Sequence, residues 1–456
     1  MRSCRSGFAL LALLALAARG DDFGFDDDAP EAAPADPWAG ITQLFPDTRH
    51  PSSVTRHPSL PSLELVGEFD LPDSAPEGLS GIAWRGGPPG LGRRWDDLYG
   101  LVEDSGGRLH AATIGIDRDT GAITNAVVSP AGSIPGAADL EGVACGCIDS
   151  ASVLFASDER GPAIFAKAAF DATGPDWASI PLPDPLRRCR PNLALEALAL
   201  SADGRILWTA NEGPLPEDGP EPTAKRGARV RLYALDTERL LRGSADASLA
   251  STTAGATQSP PPPWWFYPLD SATGTSFPHL PKPFNGLAEL CALPDGRLLA
   301  LERSFGFRTR SPEDPRGSLI TISIYLIDPL HAEAVGNEPH AEGAELESHA
   351  ESAENAENAE SGGASSPSEP PPSAARTAAA PRPPVLAKTL LWRGLVGRSN
   401  YEGMTLGPEL ADGSRALLLV ADGDVTRKGR FSFAWRKSLL SFRLRLTAAR
   451  PGGPGT

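Results

Sequence analysis

Histidine, cysteine and methionine are scarce in this sequence, with seven, five and two copies respectively in 456 residues. Basic residues are also in deficit, because 42 lysines and arginines face 58 aspartates and glutamates and leave a net charge of −16. A nucleic-acid-binding protein needs a clustered basic surface, so we expect no nucleic-acid partner. The scarcity of histidine disfavours zinc and copper centres, which are built largely on imidazole and thiolate ligands.

Several catalytic motifs are absent. The closest approach to a Gly-x-Ser-x-Gly nucleophile elbow is Gly78-Leu79-Ser80-Gly81, whose second glycine comes one place early. The sequence has no His-Glu-x-x-His motif and no glycine-rich phosphate loop followed by lysine and serine or threonine. Serine-esterase chemistry is therefore disfavoured.

Long apolar runs are missing outside the N-terminus. Residues 8–18 form an apolar run that follows Arg2 and Arg5 and is too short to span a bilayer, and Ala18-Arg19-Gly20 supplies small residues for cleavage. We expect residues 1–20 to be a secretory signal peptide, with an uncleaved anchor as the alternative. The mature chain would then have no transmembrane span and would be secreted, periplasmic or in an organelle lumen.

Four cysteines remain outside the predicted signal, at positions 145, 147, 189 and 291. In an exported chain they allow three disulfide pairings, among which the sequence does not choose. Zinc is the weaker interpretation, because Cys145-Gly146-Cys147 has no second closely spaced pair. Free buried thiols are the third alternative.

Low-complexity segments divide the chain. Residues 21–56 are acidic and proline-rich and predict a disordered tether, and residues 448–456 predict a disordered tail. Residues 331–384 are rich in Ala, Glu, Ser and Pro and interrupt a strand-like region, which indicates an insertion on a surface loop. The folded domain is expected at 57–447, interrupted by that insertion.

A repeat runs through this domain. Five times an acidic step opens a short apolar run, and a second apolar run then ends on acid. The openings are Glu77-Gly78-Leu79, Glu141-Gly142-Val143, Leu195-Glu196-Ala197-Leu198, Asn285-Gly286-Leu287-Ala288-Glu289 and Glu402-Gly403-Met404. The endings are Leu101-Val102-Glu103-Asp104, Phe155-Ala156-Ser157-Asp158-Glu159, Thr209-Ala210-Asn211-Glu212, Leu299-Ala300-Leu301-Glu302 and Leu419-Val420-Ala421-Asp422.

The repeat predicts an all-β fold, a single β-propeller with one blade per unit. The interval of 93 residues between the third and fourth openings, at 196 and 289, leaves room for a cryptic blade. We therefore prefer six blades, with five or seven as alternatives. The strand-like segments at 63–71 and 438–446 are expected to share one blade and close the ring.

The hairpins suggest how the acids meet. If the fourth hairpin is symmetric about Asp295-Gly296, Glu289 lies opposite Glu302, and the same reasoning places Glu196 opposite Asn211 in the third. Like charges directly opposite one another are destabilising unless a cation lies between them, one is protonated or solvent screens them. A one-residue bulge would instead move the acids to opposite faces.

Carboxylates converging from several strands suit Ca²⁺, which accepts six to eight oxygen ligands in flexible geometry, better than Mg²⁺, which requires a stricter octahedron. A purely structural alternative is that each Glu caps backbone donors and each Gly permits an unusual turn. The candidate metal ligands are Asp104, Glu141, Glu159, Glu196, Glu212, Glu289, Glu302, Glu402 and Asp422.

The order of these segments resembles the phytase-like family of exported β-propeller proteins, described by an esterase-like activity of phytase. The resemblance covers about 63–446 apart from the insertions, and it implies a propeller, divalent-cation binding and a phosphoester or phosphodiester hydrolase activity. By the same resemblance, the family's aspartate after the first blade corresponds to Asp104 and its paired Glu-Arg to Glu302 and Arg303. The last acidic segment departs from the family's Asp-Asp-Asn-type run and reads Asp422-Gly423-Asp424.

The leading hypothesis is an exported Ca²⁺-dependent phosphoester hydrolase that acts on a small phosphorylated substrate. Arg160 and Arg303 each adjoin a repeat acid and are the candidate catalytic residues, because arginine pairs with phosphate in bidentate fashion. The alternative is that they only neutralise Glu159 and Glu302. Two other functions remain open: a non-catalytic, metal-stabilised scaffold and a lactonase-like calcium propeller hydrolase.

Overall fold

The structure is a computed structural model that describes residues 60–85, 98–148, 151–168, 177–246, 262–274, 282–306, 320–332, 383–423, 425–428 and 431–446. The predicted signal, tether and tail lie outside these residues. The predicted insertion also lies outside them, apart from its first two and last two residues.

Five four-stranded antiparallel sheets form the blades of a β-propeller. Blade 1 consists of β2 (Leu79–Trp84), β3 (Leu98–Glu103), β4 (Arg108–Ile116) and β5 (Ile123–Ser133). Blade 2 consists of β6 (Leu140–Ile148), β7 (Ala151–Asp158), β8 (Ala163–Ala168) and β9 (Ala178–Ile180). Blade 3 consists of β10 (Leu195–Leu200), β11 (Ile206–Asn211), β12 (Ala228–Asp236) and β13 (Trp264–Leu269).

The last two blades use more distant segments. Blade 4 consists of β14 (Phe284–Ala292), β15 (Leu298–Phe305), β16 (Ile320–Ile327) and β17 (Lys388–Gly397). Blade 5 consists of β18 (Asn400–Glu409), β19 (Arg415–Asp422), β22 (Ser438–Arg445) and β1 (Ser62–Asp70). A hairpin of β20 (Val425–Lys428) and β21 (Phe431–Ala434) lies between β19 and β22, and one α-helix, α1 (Thr237–Asp246), follows β12.

The closure of the ring is as predicted. Strand β1 pairs with β22 from Ser62 opposite Arg445 to Asp70 opposite Ser438, so the first and last strands of the domain complete one blade. The backbone hydrogen bonds between β1 and β22 thus hold the two ends of the domain together and close the propeller ring.

The preferred count of six blades is wrong, because the structure has five. The long interval that suggested a cryptic blade instead holds the outer strands of blade 3 and helix α1. Among the described residues of that interval, no further sheet is formed. Five is within the range that the sequence left open.

The inner strands β2, β6, β10, β14 and β18 contact one another in turn, and β18 contacts β2. The apolar cores lie between neighbouring blades: Trp208 and Ala197 of blade 3 pack in one cluster with Leu287 and Leu290 of blade 4. Within the described residues, no helix is long and apolar enough to cross a bilayer.

Each inner strand has an irregularity near its start. In blades 1, 3, 4 and 5 one extra residue lies in the inner strand, namely Ser80, Glu196, Ala288 and Glu402. In blade 2 both Glu141 and Gly142 lie between the paired residues Leu140 and Val143. A bulge re-aims the side chain that it carries, and here it places equivalent positions of five blades around the common axis.

The predicted register is therefore wrong at the acids. Glu302 lies opposite Leu287, and Glu289 lies opposite Leu301. In blade 3 the bulge leaves Leu195, rather than Glu196, opposite Asn211. The one-residue bulge that the sequence left open is present in these hairpins, and it separates acids that a regular ladder would have placed face to face.

Close approach of the inner strands explains the glycine of the Glu-Gly steps. A Cβ at Gly142 would lie 2.4 Å from the backbone oxygen of Glu196, and a Cβ at Gly403 would lie 2.8 Å from the backbone nitrogen of Ile82. Only Gly78, in the first opening, has the positive φ, +72°, that the turn alternative requires. At Gly142 the cause is steric contact with the next blade.

We expect Gly142→Ala to destabilise the protein by about 1–3 kcal/mol, the usual cost of overpacking a core. The Cβ would also meet the Cβ of Leu198 and the Oγ of Ser157, each at 2.8 Å, so no single flexible side chain relieves the contact. Urea unfolding measures the change. Gly161→Ala is the matched control, since a Cβ there would have nothing within 4 Å; equal midpoints for the two variants would contradict the steric explanation.

Candidate metal centre

Two positions recur in every blade near the start of its inner strand, and each position gives a set of five residues. The first set is the bulge position of each inner strand: Ser80, Glu141, Glu196, Ala288 and Glu402. The second set lies on the second strand of each blade. In each blade, the residue before the bulge pairs with a residue of the second strand, and the next residue of that strand belongs to the set. These residues are Asp104, Glu159, Glu212, Arg303 and Asp422. Seven of these ten side chains are carboxylates, and one is a guanidinium.

Three of the carboxylates form a tight group. One oxygen each from Glu141, Glu159 and Glu196 lies within 4.8 Å of the other two. All three residues are at most 6% exposed. Two oxygens bound to one Ca²⁺ at about 2.4 Å are at most about 5 Å apart. The spacing of this group, the three-glutamate group, therefore fits a single cation.

The carboxylates of the three-glutamate group have few partners. Glu159 accepts a hydrogen bond from the backbone N–H of Ala194 at 3.0 Å. Within the part of the chain that the structure describes, the carboxylates of Glu141 and Glu196 make no hydrogen bond and no ion pair. Buried charged groups are normally paired or coordinate a metal, so these two are the strongest indication of a ligand.

Burial and mutual repulsion raise the pKa of all three carboxyls. Burial and the charges of Glu196 and Glu402 raise the pKa of Glu141 well above its usual range, and burial together with Glu212 does the same for Glu196. Burial raises the pKa of Glu159 to about 8. The site therefore favours positive charge, as a proton or as a cation.

Arg303 contacts two of the four other carboxylates of these positions. Its Nη2 donates to Glu212 Oε1 at 2.6 Å, and its Nη1 donates to Asn400 Oδ1 at 2.9 Å and to Glu402 Oε1. Asn400 Nδ2 also donates to Glu402 Oε1, at 2.8 Å. We call Arg303, Glu212, Glu402 and Asn400 the arginine group. Burial raises the pKa of Glu402 to about 8 even with Arg303 beside it.

Asp104 and Asp422 occupy the remaining acidic positions and are both buried. Asp104 directly follows β3, and its N–H donates to the carbonyl of Gly78 at 2.9 Å. Asp422 lies opposite Asn400, and its charge contributes to the raised pKa of Glu402. Asp422 is thus coupled to the arginine group, although the sequence around it departs from the family pattern.

Glu302 belongs to a different cluster, on the opposite face of β15 from Arg303. Its Oε1 accepts from Tyr267 Oη at 2.8 Å and from Lys388 Nζ, and its Oε2 accepts from Asn285 Nδ2 at 2.7 Å. Lys388 also pairs with Asp270 Oδ1 at 2.7 Å. This cluster links blades 3 and 4, so the structure does not bring Glu302 together with the three-glutamate group.

Glu289 is also placed elsewhere. Its Oε1 accepts from the N–H of Leu198 at 2.8 Å and from that of Leu290 at 2.9 Å, which ties β14 to β10. Its Oε2 is buried without a hydrogen-bond partner among the described residues, and burial raises its pKa well above the usual range. Glu289 therefore has the environment of a protonated, structural carboxylic acid.

The two candidate catalytic arginines differ in accessibility. Arg160 is exposed and its Nη2 donates to Asp139 Oδ2 at 3.1 Å, whereas Arg303 is 6% exposed and enclosed by acids. Neither pairs with the acid next to it in the sequence: the partner of Arg160 is Asp139, not Glu159, and Glu302 pairs with Lys388, not Arg303. The alternative that Arg160 neutralises Glu159 and Arg303 neutralises Glu302 is therefore wrong, because each arginine pairs with other acids.

Some polar residues in these clusters were missed. Neither Asn400 nor Lys388 belongs to the repeat that the sequence shows, although Asn400 lies two residues before the fifth opening. His110 is buried, and its Nε2 lies 2.9 Å from Glu103 Oε2. Burial alone would raise the pKa of Glu103, but hydrogen bonds from Arg108 and His110 outweigh it and lower the pKa to about 2.

The four cysteines outside the predicted signal are free thiols.

The raised pKa values predict an unusual pH dependence for the cation-free protein. Glu159 and Glu402 have usual pKa values of 4.5 and folded-state values of about 8. Between these limits the folded state binds more protons than the unfolded state, so the two groups lower the free energy of unfolding as pH rises from 4.5 to 8.

We expect the Tm in EDTA to fall as the pH is raised across this window, and the fall to be shallower in Glu159→Gln, which removes one of the titrating groups. Thermal melts followed by circular dichroism at several pH values measure both slopes. A slope of the opposite sign, or identical slopes for the variant and the wild type, would contradict these pKa values.

The comparisons with known proteins agree with the architecture. A family model described as phytase-like, with esterase-like activity of phytase, matches residues 76–425. A comparison with curated proteins gives no match. The part of the chain that carries the repeat is thus the part that the family model covers.

The similar solved structures are distant. An endo-arabinase from Bacteroides thetaiotaomicron has 10% identity and a TM-score of 0.36, with 84% of this chain and 97% of that chain covered. A chain of a nidogen/laminin complex has 9% identity and a TM-score of 0.27, with coverages of 55% and 76%. The Dos1 propeller has 8% identity and a TM-score of 0.29, with coverages of 80% and 68%.

Proposed function

The chain belongs to the phytase-like family with esterase-like activity of phytase, and from that premise we propose that it is a Ca²⁺-dependent phosphoester or phosphodiester hydrolase. The observation that carries the proposal is the three-glutamate group, whose ligand oxygens lie within 4.8 Å of one another at the bulges of two inner strands and the end of β7. The substrate class is a small phosphorylated molecule.

The donor set fits a hard divalent cation. Three carboxylates offer up to six oxygens, and Ca²⁺ takes six to eight at variable angles. Glu141, Glu159 and Glu196 would hold the ion, and its charge would replace the protons that the raised pKa values favour. When bound, such an ion supplies Lewis acidity toward a phosphoryl oxygen.

The chain's own residues would orient the substrate. Arg160 is exposed at the same end of the blade as Glu159, and its ion pair with Asp139 is accessible to solvent. Such exposed pairs are weak, so its guanidinium is free to exchange that carboxylate for a substrate phosphate. Arg303 would not meet substrate directly, because Glu212, Glu402 and Asn400 already accept its hydrogen bonds.

The test is hydrolysis of p-nitrophenyl phosphate and bis-p-nitrophenyl phosphate by the protein as purified, after EDTA treatment, and after reloading with CaCl₂. Turnover that disappears with EDTA and returns with calcium is the expected result. Arg160→Ala should then raise KM more than it lowers kcat, because it removes a contact with the substrate.

Two other outcomes would assign a different function. The acids of the three-glutamate group are at most 6% exposed, which is also what a structural cation requires. A calcium-dependent Tm without turnover on either ester would identify a metal-stabilised scaffold whose loops bind a partner. Hydrolysis of lactones but not of phosphoesters would identify a lactonase-like calcium propeller.

We also propose that the protein is exported from the cytoplasm. The support is the basic and then apolar pattern of residues 1–20. N-terminal sequencing of the mature protein tests it: a first residue near position 21 is expected, and an intact Met1 on a cytoplasmic protein would overturn it.

A further inference from the structure

Blade 4 breaks the pattern of acids around the axis. Where blades 2, 3 and 5 each contribute an acid from the bulge and another from the end of the second strand, blade 4 contributes Ala288 and Arg303. A positive side chain thus stands at a position where the equivalent residues of the four other blades are acids.

Arg303 bridges two other blades. Its Nη2 reaches Glu212 of blade 3 and its Nη1 reaches Glu402 of blade 5, so a single guanidinium lies between two carboxylates from separate blades. All three side chains are at most 11% exposed. Two carboxylates held on one buried cation is the arrangement that a metal ion would otherwise provide.

A glycine of blade 4, Gly286, leaves room for the Glu212 side chain to reach Arg303. A Cβ at Gly286 would lie 2.4 Å from Glu212 Oε1 and 2.5 Å from Glu212 Cγ, so the side chain of Glu212 lies directly on the β14 backbone as it reaches Arg303. The carboxylate of Glu212 is thereby committed to the arginine group. Glu141, Glu159 and Glu196 remain as the group without a neighbouring cationic side chain in hydrogen-bond contact, among the described residues.

We propose that Arg303 takes the place of a second metal ion, so that the acids around the propeller axis bind one divalent cation, on the three-glutamate group, while the guanidinium of Arg303 holds Glu212 and Glu402. This inference rests on the proposed cation binding and deepens it, since it gives the number of ions and assigns separate roles to the acids. Arg303 is then a positioning residue and not a ligand of substrate.

The experiment counts calcium. Wild-type protein is stripped with EDTA, reloaded with CaCl₂ and desalted, and bound calcium is measured by elemental analysis and by calorimetric titration. One ion per chain is expected for the wild type and for the control Arg160→Gln, whose guanidinium is exposed. Two ions per chain are expected for Arg303→Gln, because Glu212 and Glu402 then lose the cationic group that lies between them.

The outcomes separate this inference from the proposed function. No bound calcium in the wild type would overturn the proposed cation dependence, and this inference with it. Two ions in the wild type, or one ion in both the wild type and Arg303→Gln, would overturn only the role of Arg303. The Tm without calcium should fall more in Arg303→Gln than in Arg160→Gln and should recover when calcium is added.

A second variant covers the case in which Arg303→Gln does not fold. Replacing all three charges of the arginine group, as Glu212→Gln, Arg303→Gln and Glu402→Gln together, removes the unpaired buried carboxylates. This triple variant should still bind one calcium ion, with a Kd within about threefold of the wild type. Loss of that ion would show that Glu212 or Glu402 holds the metal and would overturn the inference.

Discussion

Glu196→Gln is expected to weaken calcium binding by at least about 100-fold, which is more than the 10–100-fold cost of losing an outer-shell partner. Glu196 is buried beside Glu141 and Glu159, and in the described structure its carboxylate has no hydrogen bond or ion pair. The amide keeps the shape of the side chain but removes one anionic ligand from the three-glutamate group. Calorimetric titration with CaCl₂ measures the change in Kd.

The same variant should be more stable than the wild type when calcium is absent. Burial and the charges of Glu212 and Glu159 raise the pKa of Glu196 well above its usual range. At neutral pH the cation-free fold must therefore protonate or bury a carboxylate that is ionised in the unfolded chain, and a neutral amide removes that cost. Glu409→Gln, at the exposed end of inner strand β18, is the control and should change neither property. A wild-type calcium affinity in Glu196→Gln would remove Glu196 from the centre.

Much of the fold is readable from the sequence because each repeat is one hairpin unit. Alternating turns and apolar runs mark β2–β3, β6–β7, β10–β11, β14–β15 and β18–β19, and the pairing of the first strand with the last follows from the two unmatched segments. The blade count was overestimated because chain length between repeats does not distinguish a blade from the outer strands and loops of its neighbour.

Which acids belong to the three-glutamate group and the arginine group was harder to predict, because a single-residue bulge changes the direction of a side chain. The bulge at Glu196 turns that residue toward the axis, and no residue pattern in the repeat distinguishes a bulged from a regular strand. At the ends of the second strands, adjacent residues point in opposite directions. Arg303 therefore joins the centre and Glu302 leaves it, although the two are neighbours in the sequence.

The environment of Glu302 predicts a large effect at a residue outside the centre. We expect Lys388→Met to lower the free energy of unfolding by about 3–5 kcal/mol, as when one partner of a buried ion pair is removed. Glu302 is 2% exposed, and Lys388 also lies 4.1 Å from the centroid of the Tyr325 ring. Urea unfolding at neutral pH measures the loss, with the exposed Lys225→Met as the matched control.

The double variant Lys388→Met with Glu302→Gln distinguishes a broken ion pair from lost packing. If the cost comes from leaving Glu302 unpaired, adding Glu302→Gln should restore most of the stability, because the amide retains the hydrogen-bonding shape that Asn285 and Tyr267 contact. Additive effects of the two substitutions would instead attribute the loss to the aliphatic stem of Lys388. Calcium stoichiometry should stay unchanged in all three variants, since Glu302 and Lys388 form the link between blades 3 and 4. A Glu302→Gln protein that loses calcium would make Glu302 a ligand after all.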